Sequence, residues 1–118
     1  MTEDIRAALL AAQTRTAARL AALERDFLSS IAAADTANTD DEHDPEGATI
    51  AFERQHVAAL VAAAREQLRE LSDALARLDE GRYGNCVRCG KAIGRERLAV
   101  RPAASRCIEC ARVSGSGR

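Results

Sequence analysis

From Ile5 to Ala34, the apolar or small positions Ile5, Leu9, Ala12, Thr16, Leu20, Leu23, Phe27, Ile31 and Ala34 recur at steps of three and four. That period places them on one face of a long helix, expected over about residues 3–34, with Thr2 as its N-cap and no Gly or Pro to interrupt it. Periodicity is lost over residues 35–47, which contain Asp35, Asp40, Asp41, Glu42, Asp44 and Glu46 and no Lys or Arg. This is the turn of a hairpin. Asp44-Pro45-Glu46 has the order of an N-cap, a proline at the first helical position and an acid in the first turn, so a second helix is predicted from about 45 to 80. Its seam is Val57, Val61, Ala64, Leu68, Leu71, Leu75 and Leu78, and Gly81 can end it through a left-handed cap. Each helix is about 45 Å long at about 1.5 Å per residue. Neither stripe can stay in water, so antiparallel pairing of the two is expected, with alanines permitting close approach.

Composition narrows this further. In 118 residues only Phe27, Phe52 and Tyr83 are aromatic, alanine is abundant and proline scarce, so the chain favours helix and has no room for a separate catalytic domain. The formal charge of −1 is strongly segregated. Residues 1–80 hold 8 basic against 16 acidic side chains, whereas residues 81–118 hold 9 against 2. No run of about 18 apolar residues is present, and the first residues are acidic where a signal peptide would be positive, which reads as a cytoplasmic chain. Ser114-Gly115-Ser116-Gly117-Arg118 reads as a flexible tail.

Cys86-Val87-Arg88-Cys89 and Cys107-Ile108-Glu109-Cys110 form a Cys-x2-Cys-x17-Cys-x2-Cys array. Two intervening residues let a tight turn aim both thiolates at one ion, and Gly84 and Gly90 flank the first pair where unusual backbone angles are needed. In a reducing compartment this pattern predicts one Zn(2+) held by Cys86, Cys89, Cys107 and Cys110 rather than two disulfides or a redox dithiol. Four thiolates close the coordination shell, so the zinc is expected to be structural and the protein not an enzyme. A segment this short has too little apolar content for a core of its own, so metal binding supplies much of its folding free energy. Four thiolates and one zinc subtract about 2 charges, which leaves the C-terminal part basic.

The stretch Tyr83-Gly84-Asn85-Cys86-Val87-Arg88-Cys89-Gly90-Lys91-Ala92-Ile93, continued by Arg97-Leu98, Pro102 and the second cysteine pair, closely resembles the DksA/TraR-type zinc finger. The helical hairpin with an acidic tip resembles the same family more loosely. The resemblance implies a mainly α fold: a long antiparallel helical hairpin over 1–81, a finger over 82–112 and a tail over 113–118. It also implies a regulator that binds RNA polymerase and inserts its tip into the secondary channel to modulate initiation. The tip residues implied are Asp40, Asp41, Asp44 and Glu46, and Arg88, Arg95 and Arg97 are the finger's candidate contacts among several arginines.

The tip departs from the family's pattern of two aspartates three residues apart followed by a small residue. Asp41 and Asp44 have that spacing only with Pro45 in the next position, whereas aligning Asp44-Pro45 with the first aspartate puts Gly47 where the second belongs. Both alignments stay open. His43 and His56 are assigned no role. Alternative readings are a sequence-specific DNA-binding zinc protein, although no base-reading helix is apparent, and a structural coiled-coil partner. Because the hairpin satisfies both stripes within one chain, a monomer is expected.

Overall fold

A computed structural model describes residues 2–37 and 45–115, with the side chains of all of these except 30, 33–37, 45–47 and 114–115. Four helices are found among them: α1 (Thr2–Ala37), α2 (Pro45–Asp79), α3 (Arg95–Val100) and α4 (Ile108–Gly115). No strand is present among the described residues; a single antiparallel bridge joins Asn85 to Ala92. This is the mainly α class expected, a helical hairpin with a small C-terminal four-cysteine finger.

The chain forms two compact units, Met1–Thr14 with Leu68–Arg118, and Arg15–Gln67. In the second of these, Arg19 Nη2 donates to Gln67 Oε1 at 3.2 Å and Arg65 Nη2 pairs with Glu24 Oε2 at 2.9 Å, which fixes α1 and α2 antiparallel. Val61 and Ala64 are buried on α2, while Thr16, Leu20, Leu23, Phe27 and Ile31 of α1 are half-buried, as the two stripes require. Their ion pair is solvent-exposed and adds little to stability; the stripes carry the pairing.

The first unit brings the start of α1 against the end of α2, where Arg6 Nη1 donates to Asp79 Oδ1 at 2.6 Å. That contact holds the Arg6 guanidinium pKa above its ordinary value. Leu9, Leu71 and Ala74 form the core there, with Ile5, Ala12, Leu75, Leu78, Tyr83 and Ala103 packed on it. Ala74 is wholly buried although it lies off the leucine seam, because it packs in one cluster with Leu9 and Leu71.

α2 ends through two hydrogen bonds: Gly81 N to Leu78 O at 3.1 Å and Arg82 N to Arg77 O at 2.8 Å. This is the Schellman pattern, and Gly81 occupies the left-handed position it needs at φ 76°. The chain therefore turns sharply from the helix into the finger, placing Tyr83 back against the helix pair.

Candidate metal centre

The first cysteine pair sits on a tight turn. Cys86 N donates to Lys91 O at 2.8 Å, Gly90 N to Cys86 O at 2.9 Å and Ile93 N to Gly84 O at 2.8 Å, closing the loop on itself. Gly84 (φ 89°) and Gly90 (φ 81°) take the positive angles this requires, as the sequence predicts. The second pair is presented by a helix. Cys107 immediately precedes α4, its carbonyl accepting from Ala111 N at 2.9 Å, and Cys110 lies three residues on, so both sulfurs share one face. Val87 N donates to Ser105 O at 2.8 Å and ties the first turn to the approach of the second.

The four sulfurs all lie within 4.8 Å of one another, with Cys89 Sγ and Cys107 Sγ 3.8 Å apart. A tetrahedral zinc with Zn–S bonds of about 2.3 Å requires S–S edges of about 3.8 Å, so the arrangement fits one such ion. All four cysteines are free, and a separation of 3.8 Å is far beyond a disulfide bond of about 2.05 Å. Four thiolates saturate a tetrahedral shell, and that chemistry suits a structural ion.

Electrostatics within the cluster are uneven. Burial opposes ionisation of Cys86, but backbone N–H groups of Cys89, Cys107 and Arg88 directed at its sulfur outweigh this and pull the thiol down to about 5. The Cys89 N to Cys86 Sγ distance is 3.5 Å. Burial and the neighbouring thiols push Cys110 up to about 12. Four sulfurs this close cannot all ionise without a cation between them, which is the physical demand for a metal.

Around the sulfurs, Cys86, Ile93, Ala104 and Cys107 form a small buried core with Leu98 packed on it. Arg97 Nε donates to the carbonyl of Arg106 at 2.8 Å, so this arginine braces the residue that precedes Cys107. Arg88 and Arg95 are exposed. Of the tip candidates, Asp40, Asp41 and Asp44 lie outside the described residues, and Glu46 is described by its backbone alone, in the first turn of α2.

Two contacts escape sequence reasoning. Arg77, on α2, is 7% exposed and extends Nη2 to the carbonyls of Ala103 (3.5 Å) and Ala104 (3.4 Å). Its Nε is buried without a partner. Tyr83 donates its hydroxyl to Pro102 O at 2.7 Å. Together they fasten the 102–104 segment, of which Ala103 packs on the helix core and Ala104 belongs to the cysteine core. A cation in the last turn of a helix ordinarily faces water and complements the helix dipole, so nothing local marks Arg77 as buried.

Residues 81–114 match the family described as the prokaryotic dksA/traR C4-type zinc finger. Among curated proteins, the chain is 38% identical over 69 residues to the uncharacterized protein YteA of Bacillus subtilis, a stretch covering 58% of this chain and 29% of that one. It is 39% identical over 46 residues to the RNA polymerase-binding transcription factor DksA of Haemophilus influenzae, covering 39% of this chain and 32% of the relative. The matched stretches thus span about a third or less of these relatives. The fold resembles that of the transcription factor DksA2 from Pseudomonas aeruginosa over 98% of this chain and 83% of the other, with a TM-score of 0.75 and 28% identity.

Proposed function

We propose that this chain, whose residues 81–114 belong to the DksA/TraR C4-type zinc-finger family, is a zinc-containing transcription regulator that binds RNA polymerase. The observation that carries this reading is a complete four-cysteine site joined to an antiparallel helix pair, in a chain that resembles a solved transcription factor along almost its whole length. The zinc is structural and gives the finger its fold. Residues 1–81 act as the hairpin and 82–112 as the finger that anchors it on the polymerase surface. The hairpin tip enters the secondary channel, where Asp40, Asp41, Asp44 and Glu46 act on a magnesium ion or on basic polymerase side chains and so modulate initiation.

Charge segregation supports this division of labour: the acidic half supplies the tip and the basic half the anchor. Arg88 and Arg95, being exposed, are available for an acidic polymerase surface; Arg97 contributes by holding the Arg106 carbonyl. The regulator acts as a monomer, without catalytic chemistry of its own.

The test is binding of the zinc-loaded protein to RNA polymerase from its own source, compared with a variant carrying Asp40→Asn, Asp41→Asn, Asp44→Asn and Glu46→Gln. Transcription from a ribosomal-type promoter is read in the same samples. Binding by both proteins, with only the parent altering transcription, is the expected result. No binding by the parent removes the proposal.

A further inference from the structure

Between α3 and α4, residues 101–107 form neither helix nor strand, yet this stretch delivers Cys107 to the metal site. Its carbonyls are held one after another from outside. Tyr83 donates its hydroxyl to Pro102 O at 2.7 Å, and Arg77 Nη2 reaches Ala103 O and Ala104 O at 3.5 and 3.4 Å. Val87 N donates to Ser105 O at 2.8 Å and Arg97 Nε to Arg106 O at 2.8 Å. Five consecutive acceptors thus take donors from four other parts of the chain: the last turn of α2, the junction, the first cysteine turn and α3.

The last two of these contacts lie nearest the ligand, and they differ in kind. Val87 stands between Cys86 and Cys89, so its N–H belongs to a turn that the metal itself draws in. Arg97 lies outside both cysteine pairs, on a helix whose Leu98 packs against the core of Cys86, Ile93, Ala104 and Cys107. Its acceptor is the carbonyl of the residue that precedes Cys107. A loop residue left free has to be ordered when the ion binds, and that entropy is subtracted from the affinity. A bond that fixes Arg106 beforehand removes the cost. We infer that Arg97 is a positioning residue for the zinc site: by holding the Arg106 carbonyl it presents Cys107 ready for the ion, and so sets how tightly and how long the finger keeps its metal. Arg97 acts through Arg106 and not as a ligand. The inference goes beyond the polymerase reading and stands on the metal site alone.

Two variants of the full chain isolate the bond. Arg97→Gln and Arg97→Met both remove the charge and both keep a side chain that reaches as far as the Nε position. Glutamine places an N–H donor there and methionine a methyl group. Zinc affinity is measured by competition with a chromophoric chelator under reducing conditions, and zinc release after excess chelator is added. The cobalt(II) spectrum reports the tetrahedral thiolate shell. Amide exchange in the helix core of Leu9, Leu71 and Ala74 reports folding away from the finger.

Arg97→Met should bind zinc about tenfold more weakly and release it correspondingly faster, while Arg97→Gln stays within about threefold of the parent; tenfold is the lower end of the effect of groups that orient metal ligands from outside the shell. The cobalt bands should keep their position in every variant, because the four sulfurs are unchanged, and exchange in the helix core should stay parental. Parental affinity and release in Arg97→Met overturns the inference, since the bond would then be idle. Equal weakening by glutamine and methionine also overturns it, because the lost charge and not the donor would be responsible. Faster exchange in the helix core of Arg97→Met overturns it too, by giving the residue a general part in stability. If Arg97→Met holds no zinc, Arg97→Gln decides alone: parental affinity upholds the inference and loss of zinc overturns it.

Discussion

Replacing Arg77 with alanine should loosen both the helix base and the metal site, because one side chain holds the segment on which both cores depend. The guanidinium reaches two carbonyls at 3.4 and 3.5 Å, the long end of the hydrogen-bond range. Bonds from a charged donor contribute about 1.5–3 kcal/mol, and the lower figure suits this geometry. Truncation to alanine also removes two buried methylenes at about 0.8 kcal/mol each. The sum is about 3 kcal/mol. Methionine keeps the stem and relieves the burial of an Nε that has no partner, so Arg77→Met should cost about 1 kcal/mol or less. A loss of about 3 kcal/mol raises local opening about a hundredfold.

Amide hydrogen exchange at Val87 and Ala104, together with the rate of zinc transfer to a chelator, reads that opening directly. In Arg77→Ala both should accelerate by one to two orders of magnitude, and in Arg77→Met by less than about tenfold. Global melting is a poorer readout, since a metal-linked chain with two compact units need not unfold in one step. Exchange and zinc transfer at parental rates in Arg77→Ala would refute the coupling. Equal damage by methionine would show that the carbonyl contacts, not the packed stem, carry it.

Further outcomes follow from the finger and its junction. Tyr83→Phe deletes the bond to Pro102 O and should cost about 1 kcal/mol, measured by denaturant titration with zinc present. Burial raises the Tyr83 phenol above its ordinary 10.0, an effect that nearby Arg77 partly offsets. The folded state therefore favours the neutral phenol: this stability is fully present below pH 10 and lost as pH rises through the raised value, a loss the Phe variant should not show. Gly84→Ala should cost about 1–2 kcal/mol through backbone strain at φ 89°, since the added methyl meets Leu98 Cδ1 only at an ordinary 3.8 Å. Cys107→Ser should abolish stoichiometric zinc binding by elemental analysis. In the parent, the four thiols should react with a thiol reagent only after a chelator is added; reaction at the same rate without chelator would refute zinc protection.

Much of this protein is written in short-range pattern. The helical stripes, the proline that opens α2, the glycine that ends it and the spacing within each cysteine pair each depend on residues a few positions apart, where backbone geometry largely fixes the outcome. Gly84 and Gly90 belong to the same class, because no other residue takes their backbone angles without strain. The likeness of residues 81–114 to a known finger adds the metal's identity to what the spacing implies.

Tertiary structure alone decides how those parts are joined. Arg77 meets residues 26 and 27 positions away, and Tyr83 meets a carbonyl 19 positions away. Neither pairing has a period or a motif, because each arises where the path of the finger returns over the helix base. The same holds for Ala74, buried by the approach of another helix, and for Arg97, whose guanidinium serves a backbone carbonyl in the cysteine-bearing loop. An arginine reads identically in sequence whether its head lies in water or beneath a folded-back strand of chain. What separates the two is the burial and the partner that long-range folding supplies.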